Sequence, residues 1–234
     1  ENLKIHKKNS LEFFNGIGGF SDDGRQYTII LKSGLSTPAP WINVIANAQF
    51  GFHVAAEGGG YTWSENSREN KLTPWSNDPV SNPSGEAIYI RDEDTFELFT
   101  ATASPLKHHA TNLDAFITHH GFGYSRFEHQ ADKLSLSLLQ YVPLDDPIKI
   151  SRLTLHNKSS SRRRLRITHY TEWVLGINRS ESAASITCEL DAKTNAIFIQ
   201  NRWNTAFGNR VAFTDLNAMQ TQWTSDRTEF LGCN

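Results

Sequence analysis

The side chains best suited to chemistry crowd into one stretch, GGGYTWSENSRENKLTPWSNDP, from Gly58 to Pro79. Trp63 and Trp75 bracket Glu65, Asn66, Arg68, Glu69 and Asn70, and Asn77 and Asp78 follow. Planar carboxylate, amide and guanidinium groups can engage two neighbouring hydroxyls at once, while an indole face covers apolar C–H surface. That pairing suits a sugar ring. The same composition also fits a loop whose aromatics pin it to the protein and whose polar groups satisfy its own backbone. Glu57, Glu65, Glu69 and Asp78 offer several carboxylate pairs for glycoside hydrolysis, but spacing in sequence does not supply the separation across a scissile bond. No catalytic residue is assigned from this stretch.

The other candidate sites are weaker. His108-His109 and His119-His120, with His129 beyond, suggest a metal centre, yet neighbours on a strand point to opposite faces, and no cysteine or carboxylate completes a ligand pattern. No metal is expected. His169 falls on the apolar face of a strand pattern and reads as a hydrogen-bonded core residue. NGIGGF (Asn15 to Phe20) lacks the strand-to-helix context and the following Lys-Ser/Thr of a phosphate loop, so it reads as a turn. RDEDTFE (Arg91 to Glu97) lacks the length and glycine of a calcium loop and reads as an acidic hairpin turn.

The elements that must position these residues are strands. Period-2 alternation runs from about Ile88 onward, and no long segment shows the apolar stripe of an amphipathic helix. LSLSLLQYV places Leu134, Leu136 and Leu138 on one face, with Ser135 and Ser137 on a wet one. In IKISRLTLHN the apolar phase switches between Ile150 and Leu153, which predicts a bulge near Ser151. LRITHYTEWVLGI predicts one long strand. Further strands are expected at Tyr27 to Leu31, Phe50 to Ala55, Ala87 to Ile90, Ala196 to Gln200 and Val211 to Thr214. The opening stretch is predicted to be a long loop, because Thr73-Pro74 and Asp78-Pro79 oppose both helix and central strand. The fold class is all-β, a large antiparallel β-sandwich, and residues 1–234 read as a single domain.

Charge and composition exclude several functions. Lys+Arg 23 against Asp+Glu 25 leaves a formal net charge of -2, with no basic field for nucleic acid. Arg162-Arg163-Arg164 follows a serine-rich turn and is expected at a solvated hairpin tip. Cys188 and Cys233 imply no disulfide framework. No apolar run is long enough to span a bilayer. The chain reads as a piece of a larger protein.

Longer stretches carry a family resemblance. NGIGGFSDDGRQYTI, TPAPWINVIAN, GFHVAAEGGGYTWSENSRENKLTPWSNDPVSNPSGEAIYIRDEDTFELF, YVPLDDPIKI and TSDRTEFLG resemble the N-terminal region of the glycoside phosphorylases that include cellobiose and chitobiose phosphorylases. TPAPWINVIAN and WSENSRENKLTPWSNDP are most similar to the phosphorylase-like part of cyclic β-1,2-glucan synthases. The resemblance implies a galactose-mutarotase-like supersandwich, with closing strands expected beyond the final FLG. A helical linker and an (α/α)6 barrel would follow in the parent, the barrel holding the general acid and the phosphate site. It also implies a carbohydrate-binding, substrate-shaping module without catalytic residues of its own. The parent would carry out glucosyl transfer or phosphorolysis of β-glucosidic bonds, with inorganic phosphate as co-substrate and no other cofactor.

The resemblance gives the opening loop a role, reaching toward a sugar site, often that of a neighbouring subunit in a homodimer. On that basis Trp63, Glu65, Asn66, Arg68, Asn70, Trp75, Asn77 and Asp78 are the candidate sugar-binding residues, for a β-glucan or gluco-oligosaccharide. The alternative is a structural or dimerisation sandwich that buttresses the barrel. The implied location is the cytoplasmic side of an inner-membrane parent. Phe96 stands where the family resemblance leads one to expect a turn glycine.

Overall fold

A computed structural model describes residues 11–21, 23–32, 34–106, 115–217 and 220–232. Its strands are β1 (Gly18–Phe20), β2 (Gln26–Leu31), β3 (Ile42–Ala46), β4 (Phe50–Ala55), β5 (Gly60–Ser64), β6 (Glu86–Asp92), β7 (Leu98–Phe99) and β8 (Phe116–Gly121). They continue with β9 (Tyr124–Ala131), β10 (Leu134–Tyr141), β11 (Ile150–Asn157), β12 (Leu165–Thr171), β13 (Ile186–Leu190), β14 (Ile197–Asn201) and β15 (Ala212–Thr214). The α-helices among the described residues are short, α1 (Arg179–Ser182) and α2 (Arg227–Leu231). Both are capped by the side chain preceding them, Asn178 and Asp226.

The all-β expectation holds, and the pairing is antiparallel throughout. One six-stranded sheet runs β1-β2-β8-β9-β10-β11, and three-stranded sheets run β3-β4-β5, β12-β6-β7 and β13-β14-β15. The main core lies between the six-stranded sheet and the first two of the smaller ones. Phe127, Leu134, Leu136 and Leu138 from the large sheet meet Ile45, Phe52 and Val54 from one small sheet and Ile90 and Phe99 from the other. Alternation explains this set, because each strand sends every second side chain inward. Tyr27, Ile29 and Leu31 on β2 do the same for a second cluster with Phe116.

Several expectations are corrected. The Ser151 bulge is absent, since β10 and β11 pair without interruption from Leu134↔Asn157 to Tyr141↔Ile150. Leu153 packs against the main core, while Ile148 and Ile150 face the other way and line a cavity described below. Ser135 is buried rather than wet. The LRITHYTEWVLGI strand ends at Thr171, where Glu172 N–H bonds to Gly85 O and Val174 N–H to Leu72 O. NGIGGF is a turn only at its start, because Gly18–Phe20 is β1.

The arginine run is not a hairpin tip. β11 and β12 belong to different sheets, so residues 158–164 cross the sandwich between them. Arg163 is largely buried there, with its Nε 2.7 Å from Asp92, its Nη1 3.2 Å from Asp132, and its guanidinium over Phe99. Three basic residues in a row look solvated by composition, but a sheet-to-sheet crossing places the middle one inside. The acidic hairpin turn is present, with Asp92 accepting from Asp94 N–H and Thr95 N–H. Phe96 occupies its left-handed position with φ 61°, the place where a glycine was expected.

His119 and His120 point to opposite sides of β8, as the alternation requires. His119 contacts Gln26 and Thr28, while His120 contacts Ser125 and the Trp41 carbonyl. Burial pulls the His120 imidazole down to about 4, and neighbouring His119 adds to the effect against the Trp41 hydrogen bond. No group of three potential metal ligands occurs among the described residues. His108, His109 and Cys233 lie outside the described residues.

Candidate functional site

The opening stretch is a strand followed by a loop. Gly60–Ser64 forms β5, pairing with β4 from Phe50↔Ser64 to Val54↔Gly60. This corrects the prediction of a loop throughout. The glycines permit it: Gly58 turns the chain at φ 100°, and a side chain at Gly60 would collide with the His53 carbonyl at 2.1 Å. The chain turns again after Ser64 and runs back along the free edge of β5. Leu72 N–H bonds to Thr62 O, and Lys71 exchanges backbone hydrogen bonds with Gly176. The edge of β5 is thereby covered.

Alternation on β4 and β5 creates two different surfaces. On the outer face, Gly51 leaves room for the Trp63 indole, whose ring would lie 2.6 Å from a side-chain carbon there. Tyr61 stacks on Trp75 at 5.3 Å with an 11° interplanar angle, and Trp63 leans on Tyr61 at 5.2 Å. His53 meets Tyr61 and Trp75 edge-on at 4.6 and 5.4 Å. Tyr61 is buried, whereas Trp75 is 46% exposed, so the cluster presents an indole backed by a rigid ring stack. Burial pulls His53 down to about 4, helped by the charge of Lys149, and keeps this imidazole neutral at pH 7.

The inner face of the same sheet leads into a cavity of about 470 Å³. At its base Glu86 accepts hydrogen bonds from Thr62 Oγ1 at 2.6 Å, Thr73 Oγ1 at 2.8 Å and Lys149 Nζ at 2.7 Å. The Lys149 ammonium also lies 4.4 Å from the centre of the Phe52 ring. Burial by itself pushes the Glu86 carboxyl up, but the Lys149 charge and the three hydrogen bonds outweigh it and hold the group at about 2. His169 stands on the cavity wall, its ring nitrogens 3.3 Å from the Thr171 and Thr214 hydroxyls. It is reachable by solvent through the cavity, which corrects the expectation of a core residue. The surrounding protein still lowers its pKa by desolvation, with Lys149 adding to the effect and Glu86 opposing it.

The eight candidate residues divide between these surfaces and the turns that join them. Trp63 and Trp75 belong to the outer aromatic cluster. Glu65 and Asn70 line the inner cavity, Glu65 paired with Arg210 at 3.2 Å and Asn70 donating to Ser64 O. Asn66 accepts from Arg68 N–H and Glu69 N–H, and Asp78 from Val80 N–H, Ser81 N–H and the Ser81 hydroxyl. Those two side chains hold their own turns. Arg68 is exposed beside Glu69, and Asn77 is exposed in a left-handed conformation.

Glu86, Lys149 and His169 were not among the sequence candidates as a group. One signal was present: Glu86 shares the inward phase of Ile88 and Ile90, so a carboxylate stood where alternation predicts an apolar residue.

Comparison with known proteins bears on the whole arrangement. The chain is 45% identical over 222 residues to the cyclic beta-(1,2)-glucan synthase NdvB of Rhizobium meliloti (strain 1021), which covers 95% of the chain and 8% of that protein. It is 27% identical over 198 residues to the solabiose phosphorylase of Paenibacillus borealis, covering 80% of the chain and 24% of the relative. It is 25% identical over 158 residues to the N,N'-diacetylchitobiose phosphorylase of Vibrio furnissii, covering 67% of the chain and 19% of the relative. The chain thus spans less than a quarter of each of these proteins. No helix among its described residues is long and apolar enough to cross a membrane. The family model for the glycosyl hydrolase 94 supersandwich domain matches residues 25–234, and the chain belongs to that family.

Proposed function

We propose that this chain is a carbohydrate-binding, substrate-shaping module of a cyclic β-1,2-glucan synthase or related β-glucoside phosphorylase. It acts as one sandwich domain within a larger enzyme. The observation that carries this reading is the Trp75–Tyr61 stack, which holds an exposed indole in a fixed orientation on the outer face of β4 and β5. A fixed aromatic plane receives the C–H face of a glucose ring with little ordering cost. Arg68, exposed on the adjoining turn, supplies donors for the hydroxyl rim. Glucosyl transfer or phosphorolysis, with inorganic phosphate where it is a co-substrate, belongs to other parts of the parent. Association with a membrane would likewise come from the parent.

Calorimetric titration with β-1,2-linked gluco-oligosaccharides against cellobiose tests the reading. Saturable heat favouring the β-1,2 series, its outer-face component lost in Trp75→Ala and weakened in Arg68→Ala, is the expected result. Equal heat in wild type and Trp75→Ala would overturn it.

A second reading has its own observation. Ile42 and Val44 are 48% and 57% exposed on the same outer face, in register with Ala55 and His53 of β4. An apolar strand beside the exposed Trp75 also suits a protein contact, either a homodimer or the parent's own barrel. Concentration-dependent dimerisation by light scattering, lost in Trp75→Ala without any sugar response, would favour this role.

A further inference from the structure

The inner cavity is separate from the outer aromatic face, and its chemistry is more specific than a packing defect requires. Its volume of about 470 Å³ falls inside the roughly 300–1,000 Å³ range of small-ligand sites. The Lys149 ammonium has one hydrogen-bond acceptor, Glu86, and the face of Phe52. An ammonium carries three donors, so two remain for a ligand. The Thr171 and Thr214 hydroxyls make only long 3.3 Å contacts to His169 and can exchange them for shorter ones. Trp173 supplies an apolar wall beside these groups.

The charges lining the cavity decide the class of ligand. Glu65, Glu86 and Asp215 stand against Lys149 and Arg210. Both cations already hold carboxylates, Lys149 with Glu86 and Arg210 with Glu65. The balance is unfavourable to an anion such as phosphate and indifferent to a neutral polyol. Hydroxyl, amide, carboxylate and ammonium groups beside an indole match a ligand with apolar C–H faces and a hydroxyl rim.

We propose that the cavity lined by Glu86, Lys149, His169, Thr171, Trp173 and Thr214 is a second saccharide site, sized for a glucose residue or a glucose disaccharide. It shares its ligand class with the reading above but not its residues. Glu86 is the fixed anchor, held by Thr62 and Thr73, and Lys149 and the two threonines bond the sugar hydroxyls. A chain end could enter here while more distant residues lie on the outer face.

The test is a titration of the chain with the β-1,2-linked glucose disaccharide, followed by calorimetry and by the NMR signals of the His169 ring, assigned with His169→Gln. Saturable binding that moves the His169 signals is expected, together with a loss of at least tenfold in Thr214→Val and in Lys149→Met. Trp75→Ala should leave the His169 signals and the titration midpoint they report within about twofold, since it alters only the outer face. Thr214→Val disturbs no ion pair, so it remains decisive if Lys149→Met fails to fold. Saturable movement of the same signals by inorganic phosphate would overturn the proposal in favour of an anion site. Folded wild-type protein whose His169 signals ignore the disaccharide would also overturn it, whatever the outer face binds.

Discussion

The two faces of the β3-β4-β5 sheet share strands and differ in how they are held together. On the outside, His53, Tyr61, Trp63 and Trp75 form a ring stack held by aromatic contacts and a single neutral hydrogen bond, from the Tyr61 hydroxyl to Ser67 O. On the inside, Thr62, Thr73 and Lys149 converge on one carboxylate through three hydrogen bonds, one of them donated by an ammonium. The outer surface can lose a ring and keep its backbone. The inner one depends on every partner, because removing any of them leaves a desolvated polar group. Surfaces that meet ligands tolerate the first arrangement, while the second stabilises the fold and positions the cavity together.

The largest expected effect is therefore inside. Lys149→Met leaves Glu86 buried without its counter-charge and should cost about 3 kcal/mol in urea unfolding. A loss under about 1 kcal/mol would mean that the cavity is wet enough to screen Glu86, and the contrast between the faces would collapse. Trp75→Ala should cost only about 1 kcal/mol, the scale of one aromatic pair, while removing oligosaccharide binding at the outer face. If it unfolds the protein, the outer cluster is structural after all.

Acid titration separates the same two regions. His53 is held at about 4 against 6.5 in the unfolded chain, and His120 on β8 is held at about the same value. A depressed pKa favours the folded state above the unfolded value, so stability is whole above pH 6.5 and declines as the pH falls toward 4. Glu86 lies at about 2 against 4.5, so its contribution is present above pH 4.5 and is lost between 4.5 and 2. Unfolding free energy measured against pH should fall in two stages. His53→Phe is expected to shrink the upper stage to the part that His120 contributes, and Glu86→Gln to flatten the lower; the reverse assignment would refute both pKa readings.

The smallest effect is expected at the boundary. Glu65 links the faces at φ 63°, a left-handed conformation, and pairs with Arg210. Glu65→Gly relieves the backbone and loses a partly exposed ion pair, so stability should change by less than about 0.5 kcal/mol. A larger loss would show that the Arg210 contact couples the loop to the β15 region.

Much of this molecule was legible in its residues, and the failures have identifiable causes. Phe50–Ala55 was recognised with its observed bounds because an apolar run framed by turn residues is a local signal. β5 was hidden because Gly58, Gly59 and Gly60 and the later prolines read as loop, although only Gly58 turns the chain and Pro74 falls beyond the strand. The arginine run and the supposed bulge failed for another reason. Each was interpreted from neighbours in sequence, while its surroundings came from a different sheet.

The sequence by itself determined the all-β class, the inward phase of most strands and the family, since a period of two residues and long matching stretches are properties of the chain alone. It also placed sugar-compatible groups on one segment. Only the tertiary structure decided which of them share a surface, sending Trp63 and Trp75 outward and Glu65 and Asn70 toward the cavity. It alone brought Thr62, Glu86, Lys149 and His169 together from β5, β6, β12 and the approach to β11. Pairing between distant strands depends on which buried surfaces fit and which polar groups find partners, and neither is written in local alternation.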